Sequence, residues 1–141
     1  MKKKIVGIML ACLLFPVPVF PAPAAPDHPY AIDEPGLLSE SGLAHLNALA
    51  AQIDEQYGIA AAAVLAESSG RRSTIRHAQW LFRNGGYGND GVLLLINMEA
   101  GEWFVHAAGR AAALFEEEEL DALYERYNAE GTYYGGLEAY L

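Results

Sequence analysis

Apolar positions recur along the chain with two periods, and the alternation between them sketches a small mixed domain. Ser39 is placed to cap a helix in which Leu43, Leu46, Ala50, Ile53 and Tyr57 return at helical spacing, and Gly58 ends it. Ile59 to Ala66 is a short apolar run with four consecutive alanines, a pattern that fits helix or strand. Its length, Gly58 before it and Ser68-Ser69-Gly70 after it favour a buried strand. A second helix is predicted from about Ser73 to Asn84, with Ile75, Ala78, Leu81 and Phe82 on one side.

Gly85 to Gly91 reads as a loop, and Val92 to Ile96 as a strand apolar on both faces and therefore central. Met98 to Gly101 is a turn, so the strand from Glu102 to Ala107 returns as the second arm of a hairpin. An alanine-rich stretch, 107–114, precedes an amphipathic helix marked by Leu120, Leu123, Tyr124 and Tyr127. Tyr134, Leu137 and Leu141 mark a last short helix. The order α-β-α-β-β-α-α predicts an α/β fold, a small mixed sheet flanked by helices on both faces. The crossover between the first two strands suits a parallel pair.

The N-terminus follows neither pattern. Met1-Lys2-Lys3-Lys4, the apolar stretch Ile5–Phe15 and a Pro/Ala segment follow the order of a secretory signal peptide, residues 1–24, with cleavage expected after Ala24. A membrane span needs about 20 apolar residues. Here Pro16, Pro18 and Pro21 interrupt the run, so the mature domain is not expected to span a membrane. Residues 25–35 read as a lead-in and 36–141 as one domain. The expected localisation is extracytoplasmic: periplasmic, cell-surface or secreted.

Removing the signal removes every lysine and the lone Cys12. What remains carries six arginines against eighteen acidic residues, a formal balance of −12. Thiol chemistry and disulfides are excluded from the mature part. Nucleic acid is excluded as a partner class, because phosphate binding draws on clustered Lys and Arg. The one basic cluster, Arg71, Arg72 and Arg76, reads as a solvated helix start.

Little in the chain proposes chemistry outright. Gly86-x-Gly88-x-x-Gly91 matches the dinucleotide fingerprint in letters only, since a helix leads in and a strand leaves, the reverse of what the fingerprint requires. His28, His45, His77 and His106 show no metal-ligand spacing. No nucleotide, haem or zinc is expected. The carboxylates are more suggestive. The hairpin brings Asn89 and Asp90 towards Glu116 and Glu117, and Asp33, just before the first helix, is a further candidate for the same edge. Carboxylates with loop carbonyls suit a hard cation, Ca or Mg. The same residues also suit turn and helix capping, and both readings stand at this point.

Three segments resemble the TPM domain family: Asp33-Glu34-Pro35-Gly36-Leu37-Leu38-Ser39-Glu40, then Gly88-Asn89-Asp90-Gly91-Val92-Leu93-Leu94-Leu95-Ile96, then Gly131-Thr132-Tyr133-Tyr134-Gly135-Gly136. They recur there in this order, and the resemblance covers residues 30–141. It implies a compact α/β sandwich, divalent-metal binding in some members and weak acid phosphatase activity attributed to a plant member. It matches Asp33 to the acidic residue before Gly-Leu-Leu-Ser and Asp90 to an Asp-Asn-Gly motif written here as Asn89-Asp90-Gly91. Glu116 and Glu117 stand for a Thr-Asp pair, and Ala108-Gly109-Arg110 for Gly-Tyr-Gly. Many bacterial members continue into a transmembrane helix, whereas this sequence stops at Leu141, as a free domain or a fragment.

Three functions follow as expectations. The first is an exported module that binds a divalent cation and supports assembly, repair or regulation of envelope or membrane proteins. The second is a metal-assisted phosphatase with Asp90 and Arg110 as its candidate catalytic residues. The third is a purely protein-binding domain with Tyr124, Tyr127, Tyr133, Tyr134 and Tyr140 as an aromatic surface.

Overall fold

A computed structural model describes residues 28–141; the expected signal peptide and its cleavage point lie outside the described residues. Nine elements follow in order: β1 (Ala31–Asp33), α1 (Glu40–Tyr57), β2 (Ala60–Ala66), α2 (Thr74–Asn84), β3 (Gly91–Asn97), β4 (Glu102–Ala108), α3 (Arg110–Leu114), α4 (Glu117–Ala129) and α5 (Tyr133–Tyr140). The strands form one sheet in the order β1-β2-β3-β4. β1, β2 and β3 are parallel, and β4 returns antiparallel from the hairpin. The fold is the α/β class the periodicity predicts.

Two elements exceed the prediction. The stretch expected as lead-in carries β1, whose Ala31 pairs with Ala63. Three residues show no periodicity by themselves, so only the pairing with β2 defines the strand. Asn47 of α1 covers its outer edge: the side-chain Oδ1 accepts from Ala31 N–H at 3.0 Å, and Nδ2 donates to Ala31 C=O at 3.1 Å. One side chain thus satisfies both backbone groups of Ala31, which an edge strand would leave open. The second addition is α3, a single helical stretch within the alanine-rich segment.

The alanine run is a strand, buried on both faces throughout β2. Its even positions, Ala60, Ala62 and Val64, pack with Leu93, Leu95, Ala78 and Phe82, the α2 side. Its odd positions, Ala61, Ala63 and Leu65, pack with Leu46, Leu94, Val105, Ala111 and Leu137, the side of α1, α3 and α5. Alternation along a strand sends successive side chains to opposite faces, so two apolar layers share one central strand. α4 packs mainly against α5 and also meets Trp103 of β4, whose ring stacks on Tyr124 with centroids 3.8 Å apart and planes 5° from parallel.

Helix ends follow their capping residues. Ser39 accepts from Gly42 N–H, Ser73 from Arg76 N–H and Thr132 from Gly135 N–H through their hydroxyls. Glu116 and Glu119 form a reciprocal capping box at the start of α4. Gly58 closes α1 in the left-handed conformation, and its N–H donates to Asp54 C=O at 2.7 Å. Among the described residues, no helix is long and apolar enough to cross a membrane.

Candidate functional site

Parallel strands give the sheet two chemically distinct ends. At the amino end of β2 and β3 lies the Asn89-Asp90 loop, held against the start of α3. Asp90 Oδ1 accepts from Arg110 N–H at 2.7 Å, and Oδ2 accepts from Arg110 Nε at 3.2 Å. The Arg110 guanidinium also donates to Gly58 C=O at 2.6 Å, at the C-terminal end of α1. A cation is well placed there, since helix carbonyls concentrate negative charge at that end. The Asp90 backbone C=O accepts from Ala60 N–H at 3.0 Å, so the loop is tied to β2 as well. The Arg110 backbone N–H, and then its guanidinium, hold the Asp90 carboxyl below the usual carboxylate range.

Gly109 permits this clip. Its φ is +58° and ψ −130°, and a Cβ there would lie 2.1 Å from Asp90 Oδ1 and 2.3 Å from Asn89 C=O. Only glycine fits that backbone and that gap.

The expected cation site does not assemble around this clip. Asp33 ends β1, and because β1 runs parallel to β2 and β3 it sits at the opposite end of the sheet from Asp90. Its Oδ2 accepts from Leu38 N–H at 2.7 Å, which closes the turn leading into α1. Both Asp90 oxygens are engaged by Arg110. Glu116 caps α4, and Glu117 is an exposed residue of its first turn. Among the described residues, no three His, Cys, Asp or Glu side chains are placed together to hold a metal ion. The set Asp33, Asn89, Asp90, Glu116 and Glu117 therefore does not fit one cation as a single donor set. Arg110, the expected phosphoryl clamp, is committed to Asp90 and Gly58.

At the carboxyl end the sheet gathers groups that the sequence did not flag. Glu34 Oε2 accepts from Glu67 N–H at 3.0 Å, and Ser68 Oγ donates to Glu99 Oε2. Each of these residues stands just beyond its strand, where open α/β sheets place their ligand crevices. That position was the available signal. Asp33 Oδ1 is buried there with no hydrogen-bond partner.

Beside these carboxylates runs a buried polar chain. Asn97 Nδ2 donates to Ser69 Oγ and to Thr74 Oγ1, both at 3.1 Å. Thr74 Oγ1 donates to Glu102 Oε2 at 2.5 Å, and Ser69 Oγ lies 3.1 Å from His77 Nδ1. Ser69 Oγ accepts from Asn97, and its hydroxyl has both a proton to donate to His77 Nδ1 and a second lone pair to accept from it, according to the imidazole tautomer. Burial pushes the His77 imidazole below its ordinary value, against a smaller upward pull from Glu34 and with a further lowering by Arg72.

An apolar concavity lies next to the Asp90–Arg110 clip. It holds about 500 Å³ between the end of α1, α3, α4 and the C-terminal Leu141. Ile53, Tyr57, Ile59, Leu114, Phe115 and Leu123 form its apolar wall, with Glu119 and Arg126 at its rim. Leu114 is 63% exposed and Tyr57 59%, and both line this concavity. The expected tyrosine surface is different: Tyr140 is buried with its hydroxyl donating to Ala62 C=O at 3.0 Å, and Tyr124 is packed on Trp103. Of those five tyrosines Tyr133 alone is exposed.

Sheet order, two-sided helix cover and the Asp-Arg clip define a three-layer α/β domain of mixed topology. The chain belongs to the TPM domain family, which matches residues 31–141. Solved structures that share its fold include the following two. The N-terminal domain of a protein from P. gingivalis has a TM-score of 0.67 at 21% identity, covering 81% of this chain and 78% of that one. The N-terminal domain of the cg2496 protein from Corynebacterium glutamicum has a TM-score of 0.61 at 18% identity, covering 90% and 80%. No curated protein matches the chain.

Proposed function

We propose that this TPM domain is a binding module that works outside the cytoplasm on envelope or membrane proteins, docking an apolar segment of its partner in the groove beside Arg110. The observation that carries this reading is the groove itself: about 500 Å³, walled by aliphatic and aromatic side chains, with Leu114 and Tyr57 left in solvent. Apolar pockets with a few polar groups at the rim are where ligands bind most often. The Asp90–Arg110 clip acts as a scaffold here, pinning α3 so that Leu114 stays at the rim.

An uncharged apolar fluorescent dye, Nile red, tests the groove directly. One dye is expected to bind per chain, and Leu114→Asp or Tyr57→Asp should weaken binding about tenfold while leaving the melting temperature in place, since both side chains are exposed. Dye binding that is indifferent to both substitutions would overturn the groove as the binding surface.

A second reading keeps the divalent cation and moves it to the carboxyl end of the sheet. It is favoured by the buried, unpartnered Asp33 Oδ1 beside Glu34. Occupancy would draw on Asp33 and Glu34, whose oxygens suit Ca or Mg. Millimolar calcium or magnesium should then raise the melting temperature of the protein but not of Asp33→Asn. An equal response in both, or none in either, removes this reading. A phosphatase reading has no comparable support, because Arg110 is already paired.

A further inference from the structure

The groove specifies its occupant further than apolar character alone. α4 contributes Glu119, Ala122, Leu123 and Arg126 to the groove wall. Helical spacing puts Glu118 four residues before Ala122 and Glu125 three residues after it, so both flank that wall, and both are exposed. Glu116, Glu117 and Asp121 add exposed carboxylates on the same helix and its cap. The nearby positive charges are Arg126 and Arg110, and Arg110 is already paired with Asp90. Resting on the reading of the groove as a protein-docking surface, we infer that its partner is a cationic amphipathic helix, with apolar residues in the groove and Lys or Arg side chains over the α4 carboxylates.

Charge separates this occupant from its competitors. The six arginines and eighteen acidic residues beyond the signal region make a second copy of the chain a repelled partner. Anionic lipid headgroups are repelled for the same reason. An uncharged apolar segment meets no such repulsion but leaves the acidic flank without counter-charge. A basic amphipathic helix answers both halves of the surface: its i, i+3, i+4, i+7 anchors enter the groove, and its flanking cations lie along α4. The 13 residues of α4 extend over about 20 Å, enough to lie beside a partner helix of similar length.

Two synthetic helical peptides with identical leucine anchors test the inference, one with lysines and the other with glutamates at the remaining positions. Binding to the purified protein is read by fluorescence anisotropy in low and high salt. The lysine peptide is expected to bind at least about tenfold more tightly than the glutamate peptide, with an advantage that shrinks as salt rises. Leu114→Asp should reduce binding of both peptides. The double variant Glu118→Gln, Glu125→Gln should weaken the lysine peptide by about fivefold and leave the glutamate peptide no weaker.

Equal affinity for the two peptides, with both lost in Leu114→Asp, would overturn the charge inference and leave the groove reading standing. Binding of either peptide that ignores Leu114→Asp would overturn the groove reading itself. A dimer in sedimentation that dissociates in Leu114→Asp would make a second copy the occupant and overturn the inference. Binding of the protein to phosphatidylglycerol vesicles through the same residue would overturn it in favour of lipid.

Discussion

Gly109→Ala should destabilise the domain far beyond an ordinary loop substitution, because it breaks the junction between the β3 entry loop and α3. The backbone at Gly109, with φ +58° and ψ −130°, is one that only glycine adopts freely. Holding another residue there costs about 1–3 kcal/mol. The added methyl would also lie 2.1 Å from Asp90 Oδ1 and 2.3 Å from Asn89 C=O, so the loop must move. Overpacking of this kind costs a further 1–3 kcal/mol or so. Gly101→Ala is the internal control: its φ is +64°, but nothing lies within 4 Å of a Cβ there. That substitution carries the backbone cost alone, about 1 kcal/mol.

The two variants are compared by thermal unfolding followed by circular dichroism. For a domain of this size 1 kcal/mol moves Tm by about 4 °C. Gly101→Ala should therefore lower Tm by about 4 °C and Gly109→Ala by about 12 °C. In an Asp90→Ala background the cost of Gly109→Ala should shrink, since one of the two close contacts is gone, and it should not vanish, since the Asn89 carbonyl remains. Equal Tm losses for Gly101→Ala and Gly109→Ala would refute the steric account of the clip.

Two other predictions follow from buried polar contacts. Asn47→Ala removes three hydrogen bonds, two to Ala31 and one to Leu43 C=O, and should cost about 1–3 kcal/mol by urea unfolding; a loss below about 0.5 kcal/mol would mean water covers the β1 edge equally well. For pH, burial lowers both His77 and His106, so the folded state binds fewer protons than the unfolded chain. The stability they contribute is complete above the unfolded value of 6.5 and is lost as pH falls from there towards their lowered folded values. Urea midpoints should stay level above neutrality and decline below pH 6.5, and His77→Gln should flatten that decline; a midpoint that rises on acidification would reverse the sign and refute the argument.

The helices α1, α2, α4 and α5 were legible because each carries a repeating apolar face and a recognisable cap or glycine stop. β3 and β4 were legible from composition and the turn between them. β1 was not, since Ala31–Asp33 is a strand only by virtue of Ala63–Leu65 beside it. That omission had a consequence for the site. Without β1 nothing in the sequence fixes which end of the sheet Asp33 occupies; the edge of Asp90 is open to it on sequence grounds, and parallel pairing puts it at the other end. The groove was hidden for a different reason. Its wall is drawn from the end of α1, distant in sequence, and from the neighbouring α3 and α4, whose apolar residues look in isolation like ordinary core.

The stack of Trp103 on Tyr124 makes the protein its own optical probe. The chain has two tryptophans, and they stand in unlike surroundings. Trp80 is exposed, with the Arg72 guanidinium 4.7 Å above its ring, on the α2 side. Trp103 is half-buried and lies face to face with a residue of α4, the helix that also walls the groove. With Trp80 replaced by Phe, Trp103 is the remaining tryptophan and its emission responds when α4 moves off its ring, so occupancy of the groove becomes readable as a colour shift without any label.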